Sequence, residues 1–168
     1  EHGQLHSSAG NYAGHYGGAI GAFWRARLDE VRPHDRILDL ATGNGPLPLL
    51  LWERHGADAG LQVDAVDLAQ VAPSWFDEGV HLGIRFRSGV RIEALPFEDG
   101  AFDWVVSQFG IEYARLPDAL HEGLRVARPG ARFAFVMHHA DSVLVKVARC
   151  EERNLALLLS EEGLIAHA

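Results

Sequence analysis

The chain has 168 residues, 48% of them hydrophobic, and a formal net charge of −8 from 15 basic and 23 acidic side chains. The length and the hydrophobic content are sufficient for one domain with a buried core. The excess of acidic side chains disfavours a nucleic-acid substrate. No run of 18 apolar residues occurs, so no membrane span is predicted. One cysteine, and first residues without the apolar core of a secretory signal, lead us to expect a cytoplasmic protein.

The first 22 residues contain six glycines with aromatic residues between them. Two interpretations stay open for this segment: a flexible terminal arm, or a cap whose aromatic side chains close over a ligand. A helix over about residues 19–32, which ends before Pro33, is predicted to follow.

Residues 36–45 lead from an apolar strand into a loop of small residues. A strand that ends in Gly-x-Gly before a helix is typical of a nucleotide-type ligand site, although the motif alone also fits an ordinary turn. Asp39 adds a negative charge that a pyrophosphate would not favour. The next helix is predicted to run from Pro46 to His55 and to end at Gly56, since proline is tolerated in a first helical turn.

A second strand is predicted over residues 60–68, with Asp67 at its carboxyl end. A carboxylate at this distance from the loop can accept hydrogen bonds from both ribose hydroxyls; the alternative is a solvated acid. Further strands are predicted over 84–91, 102–107 and 132–137, and an amphipathic helix over 117–128 stops at Pro129-Gly130. This alternation predicts an α/β fold with a doubly wound, mostly parallel, Rossmann-like sheet.

Residues 36–45, 61–68 and 93–109, with Leu95-Pro-Phe and Phe102-Asp-Trp-Val-Val-Ser as their most specific parts, resemble class I S-adenosylmethionine-dependent methyltransferases. The likeness covers about residues 34–138 and is to the small-molecule branch with the ubiquinone/menaquinone-type enzymes. It implies a single domain over 1–168: an N-terminal cap or arm and helix (1–32), a cofactor-binding core (33–140) and a helical tail (141–168). The implied reaction is in-line methyl transfer from S-adenosylmethionine to a small-molecule acceptor.

The resemblance also implies which residues bind this cofactor. They are Asp39, Ala41, Thr42, Gly43 and Gly45 at the methionine end, Asp67 at the ribose, Leu68, Ile92 and Glu93 at the adenine, and Ser107 and Gln108 beside the methionine moiety and the departing methyl group. Ala41 replaces the first glycine of the family's loop. Arg91 stands where the family often has an acid for the adenine amino group, and it cannot accept a hydrogen bond. Either the backbone near Ile92 alone recognises adenine, or Glu93 takes the place of the family's acid.

Three residues are candidates for a general base: His138, His139 and Glu112, with Tyr113 as a further rival. A histidine titrates near neutral pH, which suits that role. Neighbouring strand residues point to opposite faces, and no spaced Cys/His set accompanies the two histidines, so no metal site is predicted. Cys150 has no spaced partner and is interpreted as a packed or idle cysteine.

After the fifth strand, residues 143–168 read as helix, with a break near Gly163. The sheet of the family continues with two more strands. No segment after residue 143 has the pattern of either strand, so the tail is interpreted as truncated. The fifth strand would then be a bare apolar edge, which proteins avoid. We infer a shortened chain, a naturally short variant, or an edge covered by another subunit in a homo-oligomer. Leu155–Leu159 is either a partner surface or the buried stripe of an amphipathic helix.

Two other function classes remain. A nicotinamide-dependent oxidoreductase would share the loop and the ribose acid, but would usually carry a third glycine where this chain has Pro48. A catalytically inactive methyltransferase-like binding module is made credible by the missing strands and by Arg91.

Overall fold

The computed structural model describes residues 17–159. It contains five strands and four α-helices in this range. The strands are β1 (Arg36–Leu40), β2 (Gln62–Val66), β3 (Ile84–Arg87), β4 (Phe102–Gln108) and β5 (Ala127–Val136). The helices are α1 (Gly18–Leu28), α2 (Pro46–His55), α3 (Leu116–Val126) and α4 (Val143–Leu159).

The five strands form one parallel sheet in the order β3-β2-β1-β4-β5. Strands β2 and β3 therefore lie on one side of β1, and β4 and β5 lie on the other side. This change of side puts the topological switch point between β1 and β4, where open α/β sheets bind ligands at the carboxyl ends of their strands. The predicted Rossmann-like α/β fold is confirmed, and no described strand follows β5.

Alternating residues of the central strands fill two separate cores, one on each face of the sheet. One core contains Ile37, Trp104 and Val106, together with Trp24 of α1 and Leu51 of α2. The opposite core is built from other residues of the same strands and from α3; its members include Leu38, Leu40, Val105, Ala119 and Val126. We call these the α1/α2 face and the α3 face.

Two of the crossovers between parallel strands contain no α-helix, although such connections are usually helical. Residues 67–83 join β2 to β3, and residues 88–101 join β3 to β4, through bends and turns alone. In the first of these crossovers the rings of Trp75 and Phe76 pack edge to face on Phe86 of β3. Aromatic packing therefore covers this part of the sheet in place of a helix.

The largest differences from the predicted element ends lie in three places; β2 is also shorter, Gln62–Val66 in place of the predicted residues 60–68. The first helix ends at Leu28, because the backbone N–H of Arg32 donates to the Asp35 carboxylate (2.9 Å) and not back into a helix. The third strand ends at Arg87 instead of residue 91. Helix α3 ends at Val126, and β5 already begins at Ala127 and runs through Pro129. Proline is tolerated there because β5 is the outer strand of the described sheet, and no described strand pairs with its other side.

The chain divides into two compact units between Val136 and Met137. In the second unit α4 begins after Ser142, whose hydroxyl accepts the N–H of Val145 (3.3 Å). Cys150 is exposed on this helix. The structure does not describe residues 1–16 and 160–168, nor the side chains of Leu155–Leu159. The predictions made for these residues therefore fall outside the described part of the chain. Among residues 17–159 no helix is both long and apolar enough to cross a membrane.

Candidate cofactor site

The switch point between β1 and β4 is marked by two residues with strained backbones. Ala41 directly follows β1 with φ +54°, and Phe109 directly follows β4 with φ +52°. Non-glycine residues rarely adopt this left-handed region, and such strain clusters at functional sites. The two loops also touch, because a Cβ added at Gly110 would lie 2.3 Å from the Cβ of Ala41.

The loop Ala41–Gly45 is held by backbone hydrogen bonds to the neighbouring strand and within itself. The N–H of Thr42 donates to Val66 O at the end of β2 (3.0 Å), and the N–H of Gly45 donates to Thr42 O (3.0 Å). Gly45 has φ +70°, and a Cβ there would lie 2.6 Å from Cζ of Phe86. Both the backbone conformation and the ring beside it therefore favour glycine at position 45, immediately before α2 begins at Pro46.

Asp67, the predicted ribose ligand, connects this loop to the end of β2. Its Oδ2 accepts the N–H of Gly43 and its Oδ1 accepts the N–H of Ala69, both at 2.8 Å. An ionised carboxylate has about four lone-pair sites, so each oxygen keeps capacity for one more donor. The acid, the loop and β2 are thereby fixed relative to one another.

Asp39 is buried at the base of the same loop, with 1% of its surface exposed. Desolvation by burial raises the pKa of Asp39 to about 7; a 2.6 Å hydrogen bond from the Thr42 hydroxyl opposes this shift, and the charge of nearby Asp67 adds to it. A buried acid that ionises near neutral pH is a common mark of a functional site. A ligand that carries positive charge would stabilise its ionised form.

The residues predicted to contact adenine have different surroundings. Leu68 is 64% exposed, whereas Ile92 is buried in the α3-face core. Glu93 accepts the backbone N–H of Arg115 (3.0 Å), the main cause of its lowered pKa, and lies 3.9 Å from the Arg91 guanidinium. The Glu93 carboxylate is thus already engaged within the fold.

Ser107 and Gln108 end β4 on opposite faces of the sheet. The Ser107 hydroxyl is fully buried; it donates to Leu40 O (2.8 Å) and accepts the N–H of Ile111 (3.2 Å), so its only proton is committed to β1. Gln108 is 8% exposed, and its Oε1 accepts the indole N–H of Trp24. Of this pair, Gln108 is the one whose amide N–H groups have no hydrogen-bond acceptor within residues 17–159.

The candidate bases fall in different units. Glu112 lies in a single 3-10 turn, Ile111–Tyr113, which follows β4. His138 and His139 belong to the second unit, where His139 Nδ1 accepts the N–H of Asp141 (3.1 Å). Their roles stay predictions. Within residues 17–159 no three His, Cys, Asp or Glu side chains are grouped so that they could hold a metal ion.

Arg125 of α3 organises the bend that precedes β4, a role that sequence reasoning missed. Its guanidinium donates to the carbonyl oxygens of Leu95 (3.0 Å) and Phe97 (2.8 Å) and forms ion pairs with Glu122 and Asp99. The hydrogen bonds from Arg125, with one from the N–H of Leu95, lower the pKa of Glu122 to about 2. An arginine some 30 residues from its carbonyl partners gives no local sequence signal.

Known proteins resemble this chain in both sequence and structure. Residues 37–130, more than half of the chain, match the model of the methyltransferase domain family. A demethylmenaquinone methyltransferase of Thermus thermophilus is 40% identical over 65% of this chain and 51% of its own length. A ubiquinone/menaquinone biosynthesis C-methyltransferase of Stenotrophomonas maltophilia is 35% identical over 61% of this chain and 42% of its own.

The fold likeness extends to solved structures. A SAM-dependent methyltransferase from Aquifex aeolicus superposes with a TM-score of 0.58 at 22% identity, over 71% of this chain and 67% of that protein. The present chain spans about half the length of the curated relatives it matches. With the parallel 3-2-1-4-5 sheet and the loop after β1, these matches show that the chain belongs to the class I S-adenosylmethionine-dependent methyltransferases.

Proposed function

We propose that this protein transfers the methyl group of S-adenosylmethionine to a small-molecule acceptor by direct in-line displacement. The observation that carries the proposal is the pair of carboxylates, Asp39 and Asp67, which meet the same loop at the carboxyl ends of β1 and β2. Two acids at a nucleotide-type loop suit a cationic sulfonium nucleoside better than the phosphates of a dinucleotide.

The residues present fit that cofactor by their chemistry. Asp67 can accept hydrogen bonds from ribose hydroxyls, exposed Leu68 offers apolar surface for the adenine, and buried Asp39 gains a positive partner for its ionised form. When bound, S-adenosylmethionine supplies a methyl group on a positively charged sulfur, open to attack by a nucleophile of the acceptor. The protein's part is to orient the two molecules and exclude water, which can contribute on the order of 7–11 kcal/mol.

Glu112 is our proposed general base, because it lies in the same unit as the loop and in the 3-10 turn that follows β4. A carboxylate there could remove a proton from the acceptor if the attacking atom carries one. The names of the relatives suggest a quinol-type ring carbon as the first acceptor class to test.

A binding module without activity is the second candidate, favoured by Arg91, which cannot accept a hydrogen bond from adenine, and by the Glu93 carboxylate, which already accepts the backbone N–H of Arg115. The protein should therefore be titrated calorimetrically with S-adenosylhomocysteine and, separately, with NADH. We expect binding of S-adenosylhomocysteine alone. Binding of NADH alone would refute the methyltransferase proposal in favour of an oxidoreductase.

Activity is then tested with radiolabelled methyl groups and a panel of demethylated quinols and other small phenols. We expect label in the extracted acceptor fraction with at least one quinol. The variant Glu112→Gln should lower kcat while leaving cofactor affinity unchanged. Cofactor binding without label in any acceptor would support the inactive module.

A further inference from the structure

The side-chain amide of Gln108 is held in one orientation by a residue 84 positions earlier in the chain. Trp24 of α1 is fully buried, and its indole N–H meets Oε1 of Gln108. An indole nitrogen can only donate a hydrogen bond, so the amide atom facing it must be the carbonyl oxygen. The amide NH₂ is consequently directed away from Trp24.

That NH₂ group has no hydrogen-bond partner among the described residues, although Nε2 is buried. A buried donor left unsatisfied is costly to a fold, and each such group in a native structure calls for a physical explanation. Gln108 is also the last residue of β4, directly before strained Phe109 at the switch point. The unused donors therefore lie at the edge of the sheet where a ligand is expected.

Gln108 shares this place with Asp39. Asp39 alternates with Leu38 and Leu40 of the α3 face, so its side chain lies on the α1/α2 face, and it pairs in register with Val106 of β4. Gln108 follows Val106 by two residues and lies on that same face. One side of the switch point thus presents an acceptor, the Asp39 carboxylate, and an amide donor on the neighbouring strand.

This combination matches an α-amino acid group, whose ammonium donates and whose carboxylate accepts. Resting on the proposed function, we propose that Gln108 Nε2 donates a hydrogen bond to the carboxylate of the methionine part of S-adenosylmethionine, and that Trp24 is the positioning residue that holds the amide for it. An NH₂ donor selects the carboxylate and not the ammonium, because an ammonium has no acceptor. Helix α1 thereby takes part in cofactor recognition through a side chain that does not itself contact the ligand.

The test compares two ligands that differ only in this carboxylate: S-adenosylhomocysteine and its decarboxylated analogue. Affinities are measured calorimetrically for the wild type, Gln108→Met and Trp24→Phe. Methionine nearly matches glutamine in length but cannot donate, and phenylalanine keeps an aromatic ring without the indole N–H. Trp104→Phe is the matched control, because Trp104 is a buried tryptophan of the same core whose indole N–H donates to Asp35 (3.1 Å) and not to Gln108.

We expect Gln108→Met to weaken S-adenosylhomocysteine binding about tenfold to a hundredfold, the range for a hydrogen bond to a charged group. Binding of the decarboxylated analogue should change less than about twofold, since it lacks the acceptor. Trp24→Phe should show the same selectivity with a smaller loss, about threefold to tenfold, because the amide remains but can turn. Trp104→Phe should leave the ratio of the two affinities unchanged.

Equal weakening of both ligands by Gln108→Met would show only structural damage and would overturn the inference. So would a Trp24→Phe variant whose affinity ratio matches that of Trp104→Phe. Urea unfolding of each variant confirms that folded protein is being titrated. If the wild type binds neither ligand, the proposed cofactor itself is wrong; if it binds S-adenosylhomocysteine and Gln108→Met leaves its affinity intact, only the role of Gln108 and Trp24 is lost.

Discussion

Replacing Asp39 by asparagine should make the ligand-free protein more stable, by an amount that grows with pH. Burial raises the pKa of this carboxyl from 3.8 to about 7. At about 1.4 kcal/mol per pKa unit, this shift makes the ionised form about 4 kcal/mol less favourable in the fold than in the unfolded chain. Asparagine has nearly the same shape, can still accept the Thr42 hydroxyl proton, and never ionises.

The sign follows from proton binding. Between about pH 4 and pH 7 the unfolded chain has released the Asp39 proton while the folded protein still holds it, so the wild-type free energy of unfolding falls as pH rises through this window. The contribution is fully present below pH 4 and fully lost above about pH 7. Asp39→Asn removes this dependence, so its advantage should be small at pH 4.5 and reach a few kcal/mol at pH 8.

Urea unfolding at half-unit steps from pH 4.5 to 8 measures the effect. The control is Asp58→Asn, an exposed acid in a surface turn, which should stay within about 0.5 kcal/mol of the wild type at every pH. In the same samples Asp39→Asn should bind S-adenosylmethionine more weakly, because the positive ligand loses its buried partner. A stability difference that does not vary between pH 4.5 and 8 would refute this account of Asp39.

The loop after β1 allows two further tests by urea unfolding at one pH. Ala41→Gly should raise the free energy of unfolding by about 0.5–1 kcal/mol, because glycine adopts φ +54° without strain. The matched control Ala22→Gly, on the exposed surface of helix α1, should lower the free energy of unfolding by about 1 kcal/mol. A loss of stability at both positions would contradict the strain assigned to Ala41. Gly45→Ala should lower the free energy of unfolding by about 2–3 kcal/mol, because the clash with the Phe86 ring adds to backbone strain. Gly43→Ala, with open space beside the new methyl group, should lower the free energy of unfolding by only about 1 kcal/mol. Equal losses at the two glycines would mean that the ring contact is unimportant.

Local patterns were sufficient for much of the fold. The run from Arg36 to Gly45 predicted β1 and its loop, and Pro46 with Gly56 predicted α2 with both of its ends, since capping depends on adjacent residues. The spacing to Asp67 predicted a ribose ligand at the end of β2, which stays a prediction; the structure adds that the Asp67 carboxylate accepts a hydrogen bond from Gly43 of the loop. The crossovers after β2 and β3 were not recognised as helix-free, because what replaces a helix there is packing between distant aromatic rings.

The sequence by itself determined the fold class, the family and the position of the loop, because these depend on periodicity and on residues close together in the chain. Only the tertiary structure decided that Asp39 is buried enough to ionise near pH 7, that Ala41 is strained, and that Trp24 fixes the amide of Gln108. Desolvation and hydrogen-bond direction depend on neighbours brought together by folding, and an 84-residue separation leaves no periodic trace in the chain.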